Sequence, residues 1–76
     1  LKVFPNPCKS KLSVEHPRAS SDARIIILDS LGRMVHNEKA AAFSQISQLD
    51  INLPKGCYTL VFEQDNKTTS TVFTIN

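Results

Sequence analysis

The sequence predicts an all-β protein, a small β-sandwich of about seven antiparallel strands. Three observations lead there. Apolar and polar residues alternate with period two in short runs, the mark of strands buried on one face. Turn-forming clusters interrupt these runs at roughly the eight-to-twelve-residue spacing of sandwiches. They are Pro5-Asn6-Pro7, His16-Pro17, Asp29-Ser30-Leu31-Gly32, Pro54-Lys55-Gly56 and Gln64-Asp65-Asn66. No stretch carries a capped, sustained helical period, and short uncapped helices seldom hold in water.

The elements follow in order. Leu1 to Phe4 is a short strand closed by Pro5-Asn6-Pro7. Each proline there fixes its own φ, lacks an N–H, and pushes the residue before it toward extended geometry. Lys11 to Glu15 alternates, with Leu12 and Val14 on one face, and Pro17 ends it. Ala23 to Asp29 carries the unbroken run Ile25-Ile26-Ile27-Leu28, which predicts a central strand covered on both faces. Asp29 to Gly32 is a hairpin turn, and Arg33 to Lys39 is the return strand, with Met34 and His36 on one face and Val35 on the other. Asn37 to Ser44 reads as a loop or edge segment with Phe43 tucked inward. Leu49, Ile51 and Leu53 alternate with Asp50 and Asn52 as the fifth strand. Cys57 to Glu63 is the sixth, with Tyr58, Leu60 and Phe62 sharing a face, and Lys67 to Ile75 is the last. The expected core is Val3, Leu12, Val14, Ile25, Ile27, Val35, Leu49, Ile51, Tyr58, Leu60, Phe62, Phe73 and Ile75.

Composition narrows the function. Seventy-six residues make one domain, 1–76, too small for a deep substrate cavity inside its own core. The net charge of +2 is scattered, unlike the basic stripe of a nucleic-acid binder. No run approaches the length that spans a bilayer, so direct membrane insertion is not expected. Leu1 stands where an initiator Met would, so the chain is expected to be a segment of a longer polypeptide. Cys8 and Cys57 are too far apart for a redox or zinc motif. One bridge or two free thiols both fit, and Cα atoms more than ~7 Å apart exclude the bridge.

No constellation for chemistry emerges. His16 and His36 lack a patterned nucleophile or carboxylate partner, which catalysis requires. The carboxylates have no spacing for zinc or calcium. Gly32 and Gly56 stand alone in turns, so there is no phosphate loop. The reading is therefore a non-enzyme with no catalytic residue, cofactor or metal. Asn66-Lys67-Thr68 matches a glycosylation triplet, and Asp29-Ser30-Leu31 resembles the Asp-Ser/Thr-apolar triplet that Bacteroidetes glycosylate on exported proteins. Turn chemistry accounts for both.

Taken together, the ordered segments form a series. It runs from Val3-Phe4-Pro5-Asn6-Pro7 to Leu12-Ser13-Val14 and then Ile27-Leu28-Asp29-Ser30-Leu31-Gly32-Arg33-Met34-Val35. It continues through Leu49-Asp50-Ile51-Asn52-Leu53-Pro54-Lys55-Gly56-Cys57-Tyr58-Thr59-Leu60 to a terminal strand. This series resembles the type A C-terminal sorting domain of the type IX secretion system of Bacteroidetes, over essentially the whole chain. The resemblance implies an Ig-like sandwich carried by an exported protein. It implies an address read by the outer-membrane secretion machinery, after the passenger has reached the periplasm, on its way to the cell surface or medium. It implies a cargo domain N-terminal to the address and, in many members, removal by a sortase-like protease. On this resemblance Pro5, Asn6 and Pro7 form the junction with the cargo, Asp29 and Gly32 shape the hairpin, and Gly56 turns the chain into the strand of Tyr58.

The candidate recognition element is the last strand, at Thr71, Val72, Phe73, Thr74, Ile75 and Asn76, through pairing of an accessible edge with a receptor strand. Family members commonly carry a lysine or arginine in or after that strand, whereas here Lys67 is the nearest. The competing reading is an adhesive or ligand-binding module similar to fibronectin type III domains. A structural spacer beside an enzyme domain stands further off.

Overall fold

The alternating runs fold as strands in the computed structural model, which describes all 76 residues. They are β1 (Lys2–Phe4), β2 (Lys11–Glu15), β3 (Arg24–Leu28), β4 (Met34–Lys39), β5 (Ile46–Asp50), β6 (Gly56–Gln64) and β7 (Lys67–Ile75). There is no helix. Two antiparallel sheets, ordered β1-β2-β5 and β4-β3-β6-β7, form the two layers of a sandwich. The fold class is the expected one.

Period two explains how the layers meet. Leu12 and Val14 of β2 and Leu49 of β5 face Ile25 and Ile27 of β3, Tyr58, Leu60 and Phe62 of β6, and Phe73 and Ile75 of β7. All of these are buried in one cluster. Each large apolar side chain so placed contributes about 1.5–3 kcal/mol. Tyr58 and Phe73 are directly paired in register and stack at 5.8 Å.

Several expectations change. Val35, expected in the core, is exposed. The β3–β4 register pairs Ile27 with His36 but Leu28 with Met34, so Val35 is the extra residue of a bulge. The bulge moves His36 to the inner side with Glu38, and the two are joined at 2.7 Å. Met34 is left on the outer face, so it does not share a face with His36. Phe43, expected inside, is 67% exposed at φ 68°, with its ring 5.0 Å from the Arg18 guanidinium. Ala40 and Ala19 fill the space below that loop instead. β3 is central, but only one of its faces is covered: a two-layer sandwich has no third layer, and Ile26 and Leu28 remain half-exposed. β5 starts and ends earlier than expected, at Ile46–Asp50, although Leu49 and Ile51 are buried as foreseen. Val3 is half-buried at the margin of the core.

His16, Cys8, Ala19, Ala23 and Ala40 join the core unannounced. His16 stacks on Phe62 with centroids 4.5 Å apart. Its Nδ1 donates to the Pro17 carbonyl at 2.7 Å, and its Nε2 is hydrogen-bonded to the Ser47 hydroxyl at 2.8 Å. A polar ring is tolerated there because both of its nitrogens are bonded.

Candidate functional site

The residues singled out in the sequence gather at one end of the four-stranded sheet, where β3 ends, β6 begins and β7 ends. Asp29 builds the first turn there. Its Oδ1 accepts from the backbone N–H groups of Leu31 and Arg33, both at 2.9 Å, and its Oδ2 accepts from Arg33 Nε at 2.8 Å. The Arg33 backbone N–H leads in holding the Asp29 carboxyl below the usual carboxylate range; the Arg33 side chain and the Leu31 N–H add to it. Gly32 closes this turn at φ 80°, a left-handed conformation suited to glycine.

Gly56 adopts φ 155°, in the region open essentially to glycine alone. It delivers β6 so that the Tyr58 hydroxyl donates to the Pro54 carbonyl at 2.6 Å. The Asp29 and Gly56 turns lie beside one shallow cleft that also includes Tyr58 and Arg33.

The Pro5-Asn6-Pro7 segment lies against the end of β7, although 68 positions separate Asn6 from Thr74. Asn6 Oδ1 accepts from the Thr74 N–H at 3.1 Å and from its hydroxyl at 3.3 Å. Cys8 N–H donates to Thr74 O at 3.0 Å, and Asn76 N–H donates to Cys8 O at 2.9 Å. The segment thus runs as a short parallel neighbour of β7. Both peptide bonds leading into the prolines, Phe4–Pro5 and Asn6–Pro7, are cis.

This geometry divides the last strand. In an antiparallel ladder, alternate residues point their N–H and C=O away from the neighbour. Thr74 points outward, as its bonds to Asn6 and Cys8 show. Ser70 and Val72 therefore also point outward, and so does Thr68. Beyond the entry segment at Thr74 to Asn76, the backbone of β7 bonds only to β6, so these three residues have unpaired backbone groups on the open edge. Of the candidate strand, Thr71, Phe73 and Ile75 turn their backbone toward β6. Thr74 and Asn76 are occupied by the entry segment, and Val72 is free.

Cys8 and Cys57 are free thiols, one buried and one exposed. Cys8 bridges to Ile75 on one side of β7, while Cys57 pairs with Thr74 on the other. Two strand spacings, roughly 9.5 Å, separate them, beyond the reach of a disulfide. Burial pushes the Cys8 thiol pKa up, with a smaller opposing effect from a backbone hydrogen bond. No group of three or more His, Cys, Asp or Glu side chains is placed to hold a metal. No helix is long and apolar enough to cross a membrane.

The family model described as the secretion system C-terminal sorting domain matches residues 2–76. The chain belongs to that family. The sorting domain is a signal for type IX secretion, which directs its carrier to the cell surface or the extracellular space and implies contact with the secretion machinery and with an N-terminal cargo. No curated protein matches the chain. The motif residues of this sorting domain spend their polar groups on the fold. Asn6 Oδ1, the Asp29 carboxylate and the Tyr58 hydroxyl are all bonded internally.

Proposed function

We propose that this sorting domain is a non-catalytic address, read in the periplasm by the outer-membrane secretion machinery after its cargo has left the cytoplasm by the general export route. The cargo then passes to the cell surface or the medium, and a sortase-like protease removes the domain at the Pro5-Asn6-Pro7 junction side. Recognition runs through the last strand, and of the Thr71 to Asn76 region Val72 is the residue whose backbone edge is open to it. The observation that carries this reading is the family match over residues 2–76. An unbulged nine-residue strand at the edge of the sheet supports it.

The test is a fusion of residues 1–76 to a fluorescent reporter bearing an export signal, expressed in a Bacteroidetes host. Fluorescence outside the cell is expected. A folded fusion held in the periplasm overturns the reading.

A further inference from the structure

Four strand edges border the two sheets, and three carry features that blunt pairing. β1 has only three residues. β4 is bulged at Val35 and carries Glu38 and Lys39. β5 is five residues long and ends in the Lys11–Asp50 ion pair. β7 differs. From Thr68 to Val72 it has no proline, no charge and no bulge, and it is rich in β-branched residues suited to strands. Its outward N–H and C=O groups at Thr68, Ser70 and Val72 are unpaired, and the entry segment stops the open stretch at Thr74. Five residues give a slot roughly 17 Å long.

Each face beside this slot offers some apolar surface. On the inner side Thr69 pairs with Phe62, and a cleft of about 270 Å³ opens there, with Pro17 and Phe62 as its apolar lining and Gln64, Asp65, Lys67, Thr68 and Thr69 around them. On the outer side Val72 is 63% exposed. It ends a cross-sheet row of Met34, Leu28, Thr59 and Val72 that the strand registers place side by side. A strand laid along β7 would put the residue opposite Thr69 at the cleft and the residue opposite Val72 against that row. Those two residues are three apart and point to opposite faces.

We infer that Thr68–Val72 is the docking slot for one extended segment of a receiving protein, carrying two apolar residues three positions apart. The inference rests on the sorting reading and deepens it. The main-chain bonds at Thr68, Ser70 and Val72 supply the pairing, the cleft and the apolar row supply the selection, and Asn6 sets where the incoming strand must end.

Two measurements test the slot and its role separately. The first titrates the isotopically labelled 76-residue chain with the peptide acetyl-Thr-Val-Thr-Thr-Ile-Thr-Lys-amide and follows backbone amide signals. Shifts confined to Thr68, Ser70, Val72 and their neighbours are expected. They should vanish with a peptide in which Val and Ile become Asp, and with S70P. The Ser70 N–H faces away from β6, so proline there leaves the ladder to β6 intact. No shift at millimolar peptide, or equal shifts in S70P, overturns the slot. Dimerisation along β7 without peptide, abolished by S70P, overturns the assigned partner in favour of a second copy.

The second measurement uses the secreted reporter fusion. S70P is expected to cut export at least tenfold and S70A to leave it unchanged, with both domains melting within a few degrees of the parent. Export of folded S70P at the parental level overturns the role of the slot. Failure of the parental fusion to be exported overturns the sorting reading alone, because the titration still judges the slot.

Discussion

Replacing Asn6 with Ala removes the side chain that ties the entry segment to the exit strand. Asn6 Oδ1 accepts two bonds from Thr74, at 3.1 Å from the N–H and 3.3 Å from the hydroxyl. Each bond is exposed, and a net value of about 0.5–1.5 kcal/mol per hydrogen bond applies, with the longer one at the low end. N6A should therefore destabilise the domain by about 1 kcal/mol. For a chain of this size that lowers the melting temperature by roughly 4–8 °C.

Amide exchange gives the sharper assay. Loss of the Thr74 N–H bond should speed exchange of that amide by about 2- to 13-fold, the range that 0.5–1.5 kcal/mol implies. The Phe73 amide is bonded toward β6 and should follow only the global change. N6D keeps an acceptor in place and should restore Thr74 protection. Thr74 exchange that rises no more than that of Phe73 would refute the argument that Asn6 seals the edge.

Other perturbations follow from the same structure. His16→Ala removes a ring stacked on Phe62 and two partly buried bonds, so it should cost about 2–3 kcal/mol in a denaturant titration. Gly56→Ala forces an L residue to φ 155° and should cost about 1–3 kcal/mol by the same measurement. The Asp29 carboxyl is depressed when folded. Its contribution is thus complete above the unfolded carboxylate pKa, near ~3.9, and fades as pH falls through the lower folded value. D29N should flatten that acid limb of stability, read by melting across pH 2–5. Ellman's reagent should titrate Cys57 at once and Cys8 only on unfolding, since the Cys8 thiol is buried and its pKa raised.

Much of the architecture was legible because strand periodicity and turn chemistry agree. Leu12 and Val14, or Leu60 and Phe62, can face one core only in the pairing observed. Asp29 and Gly32 mark a turn in the sequence and make one through side-chain bonds and a left-handed φ. What failed depends on long-range register. The Val35 bulge is set by how β4 meets β3, and no local pattern announces it. Cys8, Ala19, Ala23 and Ala40 are buried by closeness to other segments, and small residues carry little hydropathy signal. The start of β5 hides behind polar residues, Ser47 and Gln48. His16 reads as a turn residue because its neighbour is proline, and only Ser47 and Phe62, distant in sequence, make it a core ring. The tie between Asn6 and Thr74 is likewise invisible locally, because it joins the two ends of the chain.

That tie bears on where a sorting signal can reside. Pro5-Asn6-Pro7 opens the series that resembles the family, yet the Asn6 side-chain oxygen is bonded to Thr74 within the fold. The same holds for Asp29 and Tyr58. A substitution at any of these residues should lower export in proportion to lost folding, and restoring stability elsewhere should restore export. Substitutions that block the slot, such as S70P or a charged residue at Val72, should behave in the opposite way, with export lost and melting close to that of the parent. The two classes separate on a plot of export against melting temperature. If Ser70 and Val72 variants fall on the same line as N6A and Gly56→Ala, the machinery reads only whether the domain is folded, and the edge carries no address of its own.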